Sequence, residues 1–303
     1  MDRFEDMRCF AQVAETQSVT KAAEQLGLAP SAVSRRLKDL ETRLGAQLLT
    51  RTTRRMSLTE AGQVFYRRAS RILRDVDDAE AEVSDESHRL AGPLRVAAPL
   101  TFGIAHLAPQ LVAFAEAHPE VVIDLDLSDR QVDLVGEGFD LALRIGTLKD
   151  SSLIARKIGD VSMVLCASPD FLARHGPVTA PERLAELPGL GYAGSQRPDI
   201  WRYRASDGTE ASVQVPLRMR ANNGSVLREA AIRGLGVTLQ PSFIVHDALA
   251  DGRLLRIDAG VEWPGVAIHT VYPETRHLTA KARAFIDFMR AKLDSAPYWE
   301  AGL

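Results

Sequence analysis

Cysteine is scarce in this chain: 303 residues hold two, Cys9 and Cys166, far apart in sequence. That excludes a disulfide framework and a cysteine-based metal site. Both thiols are expected in the core, with a redox sensor as the alternative for Cys166. The seven histidines, His88, His106, His118, His175, His246, His269 and His277, are scattered and form no ligand spacing, so no metal is expected. Also missing are Gly-x-Ser-x-Gly, a Walker loop, His-Glu-x-x-His and a Gly-x-Gly-x-x-Gly behind a strand, so neither an enzyme nor a cofactor is expected. No apolar run approaches the length of a membrane span. The start, Met1-Asp-Arg-Phe-Glu-Asp, is charged and lacks the apolar stretch of a secretory signal, which implies a cytoplasmic protein without a membrane partner.

What is present is unevenly distributed. The net charge of −3 conceals a basic segment, in which Arg35, Arg36, Lys38, Arg43, Arg51, Arg54 and Arg55 outweigh Asp39 and Glu41 to give +5 between Ala29 and Leu58. An acidic run from Asp75 to Glu86 follows. Such asymmetry points to a local face for a polyanion. Phe4, Met7, Phe10, Val13 and Ala14 recur at helical spacing and predict a first helix. Ser18 or Thr20 caps a short second helix ending near Leu26, and Gly27 suits a left-handed turn. Pro30 opens a third helix, in which Val33, Leu37, Leu40 and Leu44 face inward, Ser31, Arg35 and Lys38 outward, and Ser34 lies on the flank. Two helices crossed at a short turn place the second in a major groove, where arginine reads guanine and serine reaches bases or phosphates. Leu48-Leu49 and Met56-Ser-Leu58 form two short strands around Arg51, Arg54 and Arg55, a wing suited to phosphate or minor-groove contact. The bland alternative is a three-helix bundle with a basic surface.

A long helix follows Thr59. Phe65, Ala69, Ile72, Val76, Ala79 and Val83 step by four and three, a heptad seam that needs a partner. Dimerisation is the reading preferred here, and packing on its own domain is the alternative.

These residues resemble the LysR-type transcriptional regulators. The match runs through Phe10-x-x-Val13, Ser18-x-Thr-x-Ala-Ala-x-x-Leu26, Ser31-Ala-Val-Ser-Arg-Arg-Leu37, Leu40-Glu-x-x-Leu-Gly45, Leu48-Leu-x-Arg51 and Leu58-Thr-x-Ala-Gly62. Ala29 and Pro30 depart from the family's usual Ser or Thr cap and Gln, which leaves the base preference open. The resemblance implies a transcription factor that binds double-stranded DNA as a dimer and assembles into a homotetramer, a dimer of dimers. Its DNA-binding residues would be Ser31, Ser34, Arg35, Arg36, Lys38, Arg51, Arg54 and Arg55.

Beyond residue 91, strands at 94–98, 122–128 and 140–145 alternate with helices at 102–117 and 132–137, a βαβαβ order that predicts a parallel sheet. Gly92-Pro93 is expected to be a hinge and 161–167 a crossover strand. Helices are expected at 169–175, 181–187, 225–233 and 279–293, and strands at 237–239 and 268–272. The fold expected is α+α/β: a winged helix-turn-helix (1–62), a linker helix (63–91) and a two-lobed α/β sensor (92–294) similar to periplasmic binding proteins. Subdomain I takes about 92–162 and 268–294, subdomain II about 163–267, and 295–303 form a loose tail. The sensor resembles a subgroup carrying Ser128-Asp-Arg130, Asp133-Leu-Val-x-Glu-Gly-Phe-Asp140, Leu165-Cys-Ala-Ser-Pro169, Ala221-Asn-Asn-Gly224 and Tyr272-Pro273.

The resemblance implies a small-molecule effector, anionic or aromatic, in the cleft between the lobes. Ligands in open α/β sheets collect at strand C-termini and helix N-termini. This points to Leu100, Thr101, Phe102, Arg144, Ser195, Asn223 and Gln240, with Tyr192 and Trp201 as further aromatic wall. Thr101, Asn223 and Ser225 equally suit helix caps, and Arg144 a surface ion pair. A solute-binding or transport module is the competing class; the basic N-terminal segment and the absent signal count against it.

Overall fold

The computed structural model describes residues 2–51, 56–83, 90–146, 153–274, 278–293 and 297–302. They form two units, Met1–Arg89 with Asp133–Gly138, and Leu90–Val132 with Phe139–Leu303.

In the first unit, α1 (Arg3–Thr16) begins at Asp2, whose carboxylate accepts the Phe4 N–H at 2.9 Å. Ser18, rather than Thr20, caps α2 (Val19–Leu26) by accepting the Lys21 N–H. Gly27 stands at φ +65°, the left-handed conformation expected of it, and α3 (Pro30–Leu44) starts at Ala29 with no side-chain cap. Cys9, Phe10, Val13, Ala22, Ala23, Val33, Leu37, Leu40, Leu48 and Leu49 make the core, each large apolar side chain contributing roughly 1.5–3 kcal/mol on burial. Leu44 differs from expectation: it is 40% exposed, because α3 ends there and Gly45 turns the chain away. The second wing strand, β2 (Met56–Leu58), lies where expected, while the first, β1 (Leu49–Arg51), starts one residue later and takes in Arg51; the two pair antiparallel with Leu49 opposite Leu58. Helix α4 (Glu60–Val83) starts behind Thr59, whose hydroxyl oxygen accepts the Gly62 N–H and donates to the Gln47 carbonyl. A Cβ on Gly62 would fall on the Leu48 carbonyl oxygen, so the helix start and the wing require glycine there.

The second unit holds two five-stranded sheets. The first has order β4-β3-β5-β14-β6, built from β3 (Gly92–Ala98), β4 (Val121–Leu127), β5 (Leu141–Ile145), β6 (Leu153–Val161) and, from late in the chain, β14 (Val266–Pro273). The first three strands pair in parallel, as the βαβαβ order requires. β14 runs antiparallel to both of its neighbours, β5 and β6, so the sheet is mixed rather than parallel. Gly92-Pro93 is not a hinge but the first part of β3, paired with Val121 and Val122. Between β3 and β4 the helical stretch Leu100–Ala117 comprises α5 (Leu100–Phe102), a π turn (Gly103–Leu107) and α6 (Ala108–Ala117). This stretch is long and apolar enough to cross a bilayer, contrary to the expectation that none is. Its buried Phe102, Leu107, Leu111 and Phe114 pack into the core of this unit, which accounts for the composition. The short α7 (Leu134–Glu137) is capped by Asp133.

The second sheet has order β11-β8-β12-β7-β13. The chain enters it through Ser162, directly from β6 into β7 (Met163–Ala167), so the expected crossover strand breaks in two at that residue. Then follow α8 (Pro169–His175), the expected helical segment at 181–187 as a 3-10 helix (Pro181–Glu186), and β8 (Gly189–Tyr192). The hairpin β9 (Ile200–Arg204) and β10 (Glu210–Gln214) precedes β11 (Leu217–Ala221). α9 (Gly224–Ile232), β12 (Val237–Pro241), α10 (Ser242–Ala250) and β13 (Leu255–Arg256) complete the lobe. After β14, α11 (Ala280–Leu293) closes the first lobe with buried Phe285, Ile286 and Met289.

The described part of the expected tail, residues 297–302, is not loose. Tyr298–Glu300 form a 3-10 turn in which Trp299 is 3% exposed, its ring 4.5 Å from His106 and 5.8 Å from Phe102. The Glu300 carboxylate accepts both the Ser162 N–H and the Ser242 hydroxyl, tying the C-terminus to the crossover between sheets. His106 bonds the Phe243 carbonyl through Nε2 and the Tyr298 hydroxyl through Nδ1 at 2.6 Å. Since a carbonyl only accepts, Nε2 carries the proton and Tyr298 donates to Nδ1.

Burial pushes the His106 imidazole down to about 4. The unfolded chain therefore takes up a proton that the folded chain refuses. The contribution of His106 to stability is complete above its ordinary value near 6.5 and declines as pH falls from there towards 4. Melting temperatures of the wild type should fall more steeply over that interval than those of His106→Gln. Equal slopes would show that the imidazole is not held neutral by its site.

Candidate functional site

On α3, Ser31, Arg35 and Lys38 are exposed and Ser34 lies half-buried on the flank, while Val33, Leu37 and Leu40 are buried behind them. The helix thus presents small polar and cationic groups on one face, as predicted. Arg36 does not share that face. Its guanidinium lies 3.5 Å from Asp6, which is 2% exposed, and Arg43 approaches the same carboxylate at 3.3 Å. A carboxylate buried among helices needs such partners, so Arg36 and Arg43 hold α3 against α1. The sequence offered Asp6 only as one charge of the start Met1-Asp-Arg-Phe-Glu-Asp.

Glu41 was counted among the acids and stands in the quoted Leu40-Glu-x-x-Leu-Gly45. It accepts the Leu48 and Leu49 N–H groups at 2.8 and 3.1 Å, fixing where the wing departs from α3. Arg51 lies in β1 opposite Met56. Its side chain, together with Arg54 and Arg55, falls outside the described residues.

The heptad seam divides. Phe65 packs edge-on to Phe10 with ring centroids 5.3 Å apart, and Ala69 is 1% exposed. These two positions serve α4's packing on its own unit, the alternative left open above. Ile72 and Val76 are half-buried in the single chain, and the side chains of Ala79 and Val83 lie outside the described residues.

In the sensor, side chains from both lobes meet at the ends of β3, β4 and β11. Asn223 caps α9, its Oδ1 accepting the Ser225 N–H at 3.0 Å and the Val226 N–H at 3.4 Å. Its Nδ2 donates across the lobes to Thr101 Oγ1 at 3.1 Å and to Asp129 Oδ2 at 3.0 Å. The hydroxyls of Thr101 and Ser225 are 3.1 Å apart, and Asp129 Oδ1 accepts the Leu100 N–H at 3.0 Å. Asn223 is therefore both a cap and a cleft residue; Thr101 caps no helix, since α5 starts at Pro99 without a side-chain cap. Burial, reinforced by the Asp129 charge, raises the Tyr192 phenol above its ordinary range.

Arg144 makes no ion pair among the described residues. It donates to the Val132 carbonyl at 3.2 Å, and burial lowers its guanidinium below the usual value. Ser195 is exposed on the loop after β8, and Leu100 is 37% exposed. Phe102 departs from the expected lining: it is 1% exposed, edge-on to Phe243 at 5.3 Å, and belongs to the core. Trp201 is buried in the second lobe's core. Gln240 is 1% exposed and donates to Thr238 Oγ1, beneath the cleft rather than in it. Asp129, which closes the hydrogen-bond set, was missed as a site residue although it stands in the quoted Ser128-Asp-Arg130.

Cys9 and Cys166 are both buried free thiols. Burial raises the former and pushes the latter up to about 12, which favours the inert core reading. Gly189-Leu-Gly-Tyr-Ala-Gly194 does spell Gly-x-Gly-x-x-Gly, but it lies on β8 and the following turn and leads to β9, not to a helix. It lacks the strand-then-helix setting of a dinucleotide loop.

A basic helix-turn-helix with a wing, followed by a two-lobed α/β domain, defines a DNA-binding regulator with a sensor. Residues 4–63 match the bacterial regulatory helix-turn-helix protein, lysR family, and residues 87–294 the LysR substrate binding domain. The chain is 39% identical over 289 residues to the HTH-type transcriptional regulator PtxR of Pseudomonas aeruginosa, covering 95% of this chain and 92% of that one. Among solved structures it is similar to CrgA, a LysR-type transcriptional regulator from Neisseria meningitidis, with TM-score 0.61, 34% identity and coverage of 95% and 98%. It is also similar to the full-length Vibrio cholerae virulence activator AphB, with TM-score 0.60, 31% identity and coverage of 96% and 100%. The chain belongs to the LysR family of transcriptional regulators; it is a DNA-binding regulator and not an enzyme.

Because Arg36 is tied to Asp6, Arg36→Ala should lower unfolding stability by about 1 kcal/mol, a value discounted for partial exposure. It should leave the ranking of DNA sequences unchanged. Urea denaturation and competition binding check the two halves, and an altered base preference would return Arg36 to the groove.

Proposed function

We propose that this regulator reads its operator with Ser31, Ser34, Arg35 and Lys38 of α3 in the major groove. Arg51, Arg54 and Arg55 of the wing hold phosphates or the minor groove. The observation that carries this reading is the division of α3 into a buried apolar face and an exposed face of small polar and basic residues. Two copies pair along α4 through Ile72, Val76, Ala79 and Val83, and the sensor domains join dimers into a dimer of dimers. The half-buried Ile72 and Val76 support that pairing. The protein acts in the cytoplasm and falls in the subgroup carrying Ser128-Asp-Arg130 and Ala221-Asn-Asn-Gly224.

The effector is a small anionic or aromatic molecule that binds between the lobes, at Leu100, Thr101 and Asn223, with Ser195 and Arg144 at the margins. The cross-lobe bonds of Asn223 support this, since a ligand there changes how the lobes are held. An effector shifts the protein only if it binds the two arrangements with different affinity.

The test is binding to the DNA flanking its own gene over a salt series. Arg35→Ala should weaken specific binding at one or two base pairs, by about 1–3 kcal/mol. Arg54→Ala should weaken binding to every sequence and flatten the salt slope by about one. Equal loss on specific and random DNA for Arg35→Ala would refute the base-reading role, and no binding at low salt would refute the operator itself.

A further inference from the structure

We propose that Asp129 is an internal stand-in for an acidic effector. Its carboxylate occupies the hydrogen-bond donors that a carboxylate or comparable oxyanion of the effector takes over. The inference rests on the cleft being the effector site.

The polarity of the position is fixed by its surroundings. Asn223 Oδ1 is committed to the Ser225 and Val226 N–H groups, so the amide cannot turn over without losing the cap of α9. Its Nδ2 is therefore always presented to the cleft as a donor. The Leu100 N–H is a second fixed donor, and the Thr101 and Ser225 hydroxyls, 3.1 Å apart, add donors that rotate. Such a set selects an acceptor with at least two oxygens. Asp129 supplies one oxygen to each lobe, Oδ1 to Leu100 in the first and Oδ2 to Asn223 in the second. A cationic ligand would meet two fixed donors, the Leu100 N–H and Asn223 Nδ2, once Asp129 was displaced.

The same carboxylate is placed to give way. Asp129 is half-buried on the bend after β4, within Ser128-Asp-Arg130, rather than locked inside a strand. A ligand oxyanion that replaces it preserves the bonds to both lobes and releases Asp129 to solvent. The competition also sets the response threshold, because an affinity is reduced by the fraction of molecules in which the site is free.

Asp129→Asn separates charge from shape. The variant keeps an oxygen for Leu100 but turns an amide N–H2 towards Asn223 Nδ2, donor against donor. Calorimetric titration of the full chain with benzoate, malonate, inorganic phosphate and uncharged benzamide compares wild type, Asp129→Asn and Asn223→Ala. Asp129→Asn is expected to bind at least one of the three anions roughly ten-fold more tightly than wild type, and Asn223→Ala to lose it. Benzamide should bind none of them. A gain with benzoate or malonate assigns an organic acid, and a gain with phosphate alone an inorganic oxyanion. No anion binding by Asp129→Asn at millimolar concentration overturns the inference. So does binding no tighter than wild type when Asn223→Ala has lost it, in which case the cleft stands and only the role of Asp129 falls. Full anion affinity in Asn223→Ala would instead overturn the cleft reading.

Discussion

The hydrogen bonds that Asn223 sends from one lobe of the sensor to the other are the constraint on which this account depends. Each lobe has its own five-stranded sheet, while one cluster of buried apolar side chains runs through both, from Leu94 and Phe285 to Val164, Leu190 and Phe243. What relates them is the direct passage from β6 to β7 at Ser162, the return through β14, and contacts across the cleft. Apolar contacts such as Phe102 with Phe243 fill space on the crossover side without strict direction. The Asn223 amide, by contrast, has one orientation that satisfies both its own helix and Thr101 and Asp129. A polar link of this kind is worth only about 1 kcal/mol in net stability, so ligand binding is strong enough to rewrite it. That is the property a sensor needs.

The C-terminal turn works on the opposite side. Glu300 reaches Ser162 and Ser242, and Ser242 itself donates its N–H to the Ser162 carbonyl. Both polar groups of the crossover peptide are thereby engaged, and Trp299 fills the space beside Phe102 and His106. The crossover is fixed by packing and paired polar groups while the cleft mouth is held by exchangeable side chains. In the DNA-binding unit the division is similar. Asp6 with Arg36 and Arg43, and Glu41 with the Leu48 and Leu49 amides, fix the frame, while Ser31, Arg35 and Lys38 stay exposed.

Local signals revealed the first unit almost completely. Ser18, Gly27, Pro30 and the spacing of Val33, Leu37 and Leu40 act within a few residues of where they stand, and they placed α2, the turn and α3. What they did not reveal was that Arg36 faces Asp6, because that pairing joins residues thirty positions apart. In the sensor, β4 followed from alternation and β14 was expected as a strand of the first lobe, but its antiparallel pairing with β5 and β6, which makes the sheet mixed, was not. The hairpin β9–β10 had a usable signal that was passed over: inward Trp201 and Tyr203 alternate with Arg202 and Arg204, and Asp207-Gly208 marks the turn. The tail was misjudged because terminal position counted for more than the two aromatic side chains at its end. Asp129 was missed for the opposite reason, since a charged residue in a turn gives no local hint that two lobes converge on it.

Whether the cleft governs DNA binding is the central claim, and fluorescence anisotropy with the full chain and the DNA flanking its own gene tests it most directly. Asn223→Ala removes the cross-lobe bonds without touching any residue of α1 to α4 or the wing. The account requires its affinity for that DNA to differ from wild type while binding to random DNA stays the same. An identical affinity for the specific site would contradict it, because the lobe-to-lobe bond would then carry no information to the helix-turn-helix.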